Sequence, residues 1–439
     1  MRKRRSSLLM TDAPMTEREP RAASPTAASR YRSLLGAFCV RLCVAITLAV
    51  VVLLAVELYA YRRYRHAAAN VQEPAVRLDL GSATAEEHEY WEEFEQSNKV
   101  IYHQYVLWRR APYQGSMISI DAEGVRQTLH TRCDGQTFTI WMFGDSVMWG
   151  AGTKDGETIP SFIASDYEKA GKPVCIVNYA EKGWSNTQET LELIQLLKHA
   201  ARKPDIVLFY DGGTEAFAAY QAREADVHSN YGMFREFLDN WGKRRKAGFF
   251  YLQNTNTYRL LQEISQRLPF RPKPENSPLQ EMEVVGLSEA VVQNYAANMS
   301  IVDLLAKQYG FRPIFIWYPN LAVGHKTLTE YEQEVLRQQY REFPNLGRMY
   351  QAVYNRSGEI QHADFYNLSD SVDDRKDSLY IGLSHMRSEG TEIMADRLFA
   401  ILEGKKSIAP QRLGAAASAR ANQHTMQLNS NQPSEPSVR

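Results

Sequence analysis

Thr137-Phe138-Thr139-Ile140-Trp141-Met142-Phe143-Gly144-Asp145-Ser146 is the stretch on which the fold turns. A β-branched and aromatic run passes without interruption into Gly-Asp-Ser. A short, nearly continuous apolar run closed by a glycine reads as a strand buried on both faces, and such strands belong to parallel sheets covered by helices. Three more runs have the same form: Val174–Tyr179, followed by Gly183; Asp205–Tyr210, ending at Asp211-Gly212-Gly213; and Pro313–Trp317. Helical patterns lie between and after them. Pro160–Lys169 is one. Thr187–Ala201 is a second, with Leu191, Leu193, Ile194, Leu196 and Leu197 apolar and basic residues near its end. Val291–Tyr309 is a third, with Gly310 as a C-cap, and Ile393–Leu402 closes the domain. Strands alternating with helices predict an α/β three-layer sandwich with a mostly parallel sheet, and ligands in such folds bind at the carboxyl ends of the strands.

Outward from this core the composition changes. Residues 1–33 are rich in Arg, Ser, Ala and Pro without apolar periodicity, and 405–439 are Ala, Ser, Asn, Gln and Pro; neither buries enough apolar surface to offset the entropy of ordering, so both are expected to be disordered. Residues 62–136 form a juxtamembrane and edge-covering segment, with a short amphipathic helix around Tyr90, Trp91 and Phe94. Residues 137–404 are the α/β domain. Within it, about 219–285 breaks the alternation with aromatics, a basic patch (Lys243, Arg244, Arg245, Lys246) and the Pro-rich Leu268–Pro274. This insertion reads equally as a lid over the site or as a surface excursion.

Residues 34–61 are predicted to be one transmembrane helix. The uncharged part, Leu42–Val56, is fifteen residues between Arg41 and Glu57. Snorkelling of Arg41 and interfacial placement of Leu58, Tyr59 and Tyr61 extend it to the ~20 residues a bilayer requires. The following Glu57–Arg63 has no small-residue cleavage pattern, which favours an uncleaved anchor over a signal peptide. Nine basic residues precede Leu42, and Arg62, Arg63 and Arg65 follow closely. The bias predicts a single-pass protein with a cytoplasmic N-terminus and an extracytoplasmic main domain, periplasmic in a Gram-negative cell.

Net charge is zero, which gives no support for nucleic-acid binding. Cys39 and Cys43 fall in the apolar stretch. Cys133 and Cys175 fall in the folded part, where a disulfide is one outcome in an oxidising compartment. No Cys/His set has zinc spacing, and no cofactor or metal is expected.

Chemistry is sought at the strand ends. Ser146 follows a strand and a Gly-Asp turn, where backbone N–H groups gather and stabilise an oxyanion. A Gly-Asp-Ser tripeptide alone is a common turn. His385, in Gly382-Leu383-Ser384-His385-Met386-Arg387-Ser388-Glu389-Gly390, lies between the last strand region and the last helix. A serine nucleophile needs a general base, which may come from far along the chain.

With these blocks in view, the chain resembles the SGNH, or GDSL-like, hydrolase superfamily over about 137–217 and 300–402. The resemblance implies a flavodoxin-like sandwich and a serine esterase. Phe143–Ser146 is similar to the first block, making Ser146 the nucleophile and an oxyanion donor through its N–H. Gly183 in Glu181-Lys182-Gly183-Trp184-Ser185 is similar to the second-block glycine, the next donor. The third block, usually Gly-x-Asn-Asp, falls on Gly212-Gly213-Thr214-Glu215, so that Thr214 stands where an asparagine amide would donate. The fourth, usually Asp-x-x-His, falls on Gly382–His385. Gly382 cannot orient the histidine, and Asp374, Asp377 or a main-chain carbonyl is expected in its place. Trp149, Trp184, Glu215 and Arg126 are candidates for substrate contact, although core packing is the commoner role of buried aromatics.

These residues imply an ester hydrolase of carboxylesterase or O-acetylesterase type using Ser146 and His385. The substrate implied by the resemblance is an ester or an O-acylated cell-envelope glycan. Two alternatives stand beside it: a catalytically weakened binding or assembly protein, and an O-acyltransferase using the same pair.

Overall fold

Phe138–Gly144 (β5 in chain order) is an inner strand of a five-stranded sheet, one place in from its edge. The computed structural model describes residues 27–64, 84–240, 255–266 and 279–404. Val174–Asn178 (β6), Ile206–Asp211 (β7), Arg312–Trp317 (β8) and Phe365–Asn367 (β9) complete the sheet in the order β6-β5-β7-β8-β9, with every neighbour parallel. Counted from β5, that is the 2-1-3-4-5 order of flavodoxin-like folds. β9 was not anticipated. It has three half-buried residues and therefore lacks the continuous apolar run that marks the other four.

Register explains the core. Phe143 pairs with Phe209, Phe209 with Phe315, and Phe315 with Phe365. The first three rings stack across β5, β7 and β8 with centroids 5.3 Å apart at each step. This aromatic row lies one residue below the level of Gly144 and Tyr210, where the polar loops begin.

Helices cover both faces. Ile159–Lys169 packs against Ser388–Leu402, with Tyr167 and Phe399 in edge contact at 4.9 Å. Asn186–His199, Gly213–Ala222, Glu281–Tyr309 and Leu346–Asn355 pack together as a second group. The helix expected from Val291 begins ten residues earlier, because Gln280 and Glu283 form a capping box at its true start. Glu330–Glu342 and Leu346–Asn355 were not anticipated.

The edge-covering segment contains helix Ala85–Gln96 and the strands Val100–His103 (β1), Leu107–Arg110 (β2), Tyr113–Gln114 (β3) and Ser119–Ile120 (β4). Arg126 bridges Ile120 to Asn178 and thereby ties this segment to the β6 edge.

A separate compact unit consists of helix Ala27–Tyr64 with the segment that includes Asn256–Gln266. Helix starts at Ala27, inside the stretch expected to be disordered. Gly36–Arg62 is the portion long and apolar enough to cross a membrane. The basic patch 243–246 and the Pro-rich 268–274 lie outside the described residues, as does all of 405–439.

Cys133 and Cys175 are joined, with Cα atoms 4.7 Å apart, and the bond closes a separation of 42 residues on the β6 edge. Cys39 and Cys43 are free thiols. Alkylation of the unfolded, unreduced chain should therefore modify two cysteines rather than four. Replacing Cys133 and Cys175 by serine should lower stability by about 2–4 kcal/mol in urea titration of the soluble domain.

Candidate active site

The turn after β5 places Ser146. Gly144 has φ +153°, and a Cβ there would lie 2.7 Å from both Met148 Cβ and the Tyr210 carbonyl oxygen, so a side chain does not fit. Asp145 then N-caps the turn Ser146–Trp149, its Oδ1 accepting the Val147 N–H at 2.8 Å.

His385 arrives from the opposite end of the domain. Its Nε2 lies 2.7 Å from Ser146 Oγ across 239 residues of sequence. Ser146 is 1 % exposed and His385 5 %. Together with Asp145, Val147, Gly213, Thr214, Phe217, Tyr318, Tyr350, Leu383 and Ser384 they bound one pocket at the carboxyl edge of the sheet. No group of His, Cys, Asp and Glu suited to a metal ion occurs among the described residues.

The histidine loop is held from two sides. From the end of β8, the Leu321 N–H donates to Leu383 O at 2.7 Å, and Asn320 Nδ2 donates to Ser384 Oγ at 2.9 Å. From the other side comes Glu332, fully buried at the start of helix Glu330–Glu342. One of its oxygens accepts the Leu379 and Tyr380 N–H groups at 3.0 and 3.2 Å; the other pairs with Lys326 Nζ at 2.7 Å. Burial alone would push this carboxyl up, but Lys326 and the Thr329 and Tyr380 N–H groups outweigh it and hold it below the usual range. Leu379 and Tyr380 begin the narrow hairpin that ends in His385, closed by Ile381 N–H to His385 O at 2.9 Å and by the Tyr380–Met386 bridge. Glu332 went unnoticed in the sequence, where it is one of several carboxylates on an amphipathic helix.

Several expected site residues take other roles. Thr214 does line the pocket, but its hydroxyl donates to Asp145 Oδ2 at 2.6 Å, and Tyr318 OH donates to the same oxygen. A hydroxyl has one proton, so Thr214 in this arrangement cannot replace an asparagine amide as an oxyanion donor. Gly183, at φ +77°, sits in the Glu181–Trp184 turn that hangs from Gly144 O, but it is not among the residues that bound the pocket; a Cβ on it would face Ser229 and Trp108 at 3.5 and 3.8 Å. Asp377 is exposed and chelated by Arg375 at 2.7 and 3.0 Å, and Asp374 is exposed; neither bounds the pocket with His385.

Of the four expected substrate contacts, Arg126, Trp149 and Trp184 are core residues. Arg126 is buried, pairs with Asp155 at 2.9 Å and donates to the carbonyls of Trp149, Gly150 and Thr153. It therefore ties down the loop that leaves Ser146. Trp149 lies fully buried beneath that guanidinium at 4.3 Å. Trp184 is fully buried under Arg109 at 4.6 Å and donates its indole N–H to Trp108 O. Glu215 accepts the Gly212 and Asn186 N–H groups at 2.9 and 2.8 Å, joining the third strand end to the following helix. Arg126, Trp149 and Trp184 are thus buried in the core, and both oxygens of the part-buried Glu215 are engaged by backbone N–H groups.

Behind Asp145 and Glu215 lies a buried carboxyl pair. Asp211 Oδ2 accepts from Asn186 Nδ2 at 2.9 Å and Tyr295 OH at 2.8 Å. Glu189 is fully buried as well, and both of its carboxyl oxygens and Asp211 Oδ1 have no hydrogen-bond partner among the described residues. Burial, then the charges of Asp211 and Glu215, push Glu189 well above the carboxylate range, and burial with Glu215 does the same to Asp211.

No family model matches the sequence, and neither does any curated protein. Solved structures do match. They include the psychrotrophic esterase EstA from Pseudoalteromonas sp. (11 % identity over 61 % of this chain and 97 % of that one, TM-score 0.32). The acetyl xylan esterase AlAXEase matches at 10 % identity (60 % and 99 %, TM-score 0.34), and a lipolytic protein of the G-D-S-L family from Veillonella parvula at 14 % (62 % and 99 %, TM-score 0.30). The strand order is that of a flavodoxin-like α/β fold, and Ser146 and His385 meet at the carboxyl edge of its sheet.

Two outcomes follow from the buried carboxyls. Burial and the neighbouring charges raise the folded-state pKa of the Glu189–Asp211 pair above the unfolded value. Its contribution is thus fully present below the ordinary carboxylate range and is lost as pH rises through the raised value. Glu189→Gln removes one of the two titrating carboxyls. Urea midpoints followed from about pH 5 to about pH 9 should fall less steeply for this variant than for the parent. Separately, Glu332→Ala leaves Lys326 buried without its carboxylate and should cost about 3–5 kcal/mol in chemical denaturation.

Proposed function

We propose that the protein is a serine ester hydrolase that cleaves short acyl esters, with O-acetylated cell-envelope glycan as its substrate class. The observation that carries this reading is the 2.7 Å contact between Ser146 Oγ and His385 Nε2 in a buried pocket. In the proposed reaction His385 Nε2 takes the Ser146 proton as Oγ attacks the acyl carbonyl. The imidazolium then returns that proton to the leaving alkoxide, and water repeats the sequence on the acyl-serine. The oxyanion is assigned to main-chain donors, the Ser146 N–H first, because Thr214 is committed to Asp145. Gly183 N–H is the second donor if substrate draws its turn toward the pocket.

The pocket walls favour a small acyl group. Phe217, Tyr318, Tyr350 and Leu383 are bulky, buried and packed into the core, so they leave little room for a long chain. Support for an extracytoplasmic domain comes from the Cys133–Cys175 disulfide, since such bonds persist in oxidising compartments, and from the apolar helix Gly36–Arg62 with the basic residues that precede it.

The test is hydrolysis of p-nitrophenyl acetate by the soluble domain. Ser146→Ala and His385→Ala should each reduce kcat by about 10³-fold or more, with folding unchanged by circular dichroism. Acetate should be preferred to octanoate, and a fluorophosphonate should label the parent but not Ser146→Ala. Absence of both Ser146-dependent turnover and labelling would leave the domain as a glycan-binding or assembly module. A rate that rises only when a sugar acceptor is added would make it an acyltransferase.

A further inference from the structure

Glu57 is an acidic residue near the end of an apolar helix, where lipid leaves a carboxylate few partners. Its carboxylate is nevertheless fully engaged. Oε1 accepts from Asn256 N at 3.0 Å and Asn256 Nδ2 at 2.8 Å; Oε2 accepts from Thr257 N at 2.8 Å and Thr257 Oγ1 at 2.6 Å. Asn256 and Thr257 open the helix Asn256–Gln266. The N–H groups of a first helical turn have no acceptors within the helix, and the helix dipole favours a negative charge at that end. Glu57 thus acts as an N-cap supplied by another helix, about 200 residues away in sequence.

The capped helix is amphipathic. Thr257, Leu260, Leu261 and Ile264 fall within about 100° of arc. Leu261 and Ile264 are exposed, as are Leu54, Leu58 and Tyr61 of the long helix on either side of Glu57. The two apolar surfaces therefore belong to one compact unit that is joined at Glu57. In sequence, Lys243-Arg244-Arg245-Lys246 and Phe249-Phe250-Tyr251-Leu252 precede Asn256. Cations followed by aromatic and apolar residues suit an anionic headgroup layer.

We infer that Asn256–Gln266 is an interfacial helix whose apolar face lies in the anionic leaflet at the C-terminal end of the Gly36–Arg62 span, held there by Glu57. The occupant of the exposed Leu261–Ile264 face is lipid. This inference rests on the proposed membrane span, since it extends the lipid-facing surface of that helix. The chain is thereby attached to the bilayer at a second point, within the insertion of the α/β domain.

The experiment uses the full chain with Cys39 and Cys43 replaced by alanine, inserted in phosphatidylethanolamine–phosphatidylglycerol vesicles. Single cysteines at Val50, Leu261 or Ile264 carry a bimane fluorophore. Brominated lipid should quench positions 261 and 264 as strongly as position 50, and aqueous iodide should quench none of them. Quenching of 261 and 264 by iodide but not by lipid, with 50 quenched by lipid, would overturn the inference while leaving the span intact. Failure of lipid to quench position 50 would remove the span and the inference together. Glu57→Leu, and independently the pair Asn256→Ala and Thr257→Ala, should abolish lipid quenching at 261 and 264 but not at 50. Unchanged quenching in both would overturn Glu57 as the tether.

Discussion

Parallel register is the constraint on which the site depends. β5, β7 and β8 run in the same direction and in step, so that Gly144, Tyr210 and Ile316 lie side by side. Whatever follows each strand therefore emerges on one edge: Asp145 and Ser146 after β5, Gly212 to Thr214 after β7, Tyr318 and Asn320 after β8. The stacked phenylalanines one residue below act as a packed floor. A slip of one residue on any strand would reverse which side chains face each helix layer and would also shift its loop along the edge. Asp145 shows how closely the loops then interlock, since its carboxylate joins all three by accepting from Val147, Thr214 and Tyr318.

The fourth part of the site does not come from a sheet strand end, and it needs separate support. Where SGNH-like sequences carry an aspartate three residues before the histidine, this chain has Gly382. The loop is stiffened instead through its backbone. Leu321 and Asn320 hold Leu383 and Ser384, and the buried Glu332 holds Leu379 and Tyr380. Such an arrangement concentrates cost in one place. A buried carboxylate is tolerated only with several donors and a cation, and Glu332 has both. Placement of the imidazole is thus coupled to a salt bridge that never meets the pocket.

Much of the α/β core was legible from residue pattern. Four of five strands and four of the helices around them follow from short apolar runs and helical periodicity, properties of neighbouring residues. β9 escaped because three half-buried residues carry no such pattern, and the start of helix Glu281–Tyr309 was misjudged because a capping box is a weaker signal than an apolar stripe. At the site, Ser146 and His385 were legible as candidates, and the structure brings them together. Trp149, Trp184, Arg126 and Glu215 could be offered only as candidates for ligand contact, because a sequence does not reveal which side of the backbone faces the core. Arg126, Trp149 and Trp184 turn inward.

The sequence alone determined the class of fold, the position of a nucleophile-like serine at a strand end, and a hydrophobic helix flanked by basic residues. Each of these is a local matter of periodicity, turn chemistry or length. Only the tertiary structure decided which groups meet: Ser146 with His385, Thr214 with Asp145, Cys133 with Cys175, Glu332 with the histidine hairpin, and Glu57 with the helix at Asn256. The physical reason is that hydrogen bonds act over about 3 Å. A single proton or carboxylate is therefore committed by distances that depend on the whole packed chain, and residue type limits the choice of partner without making it.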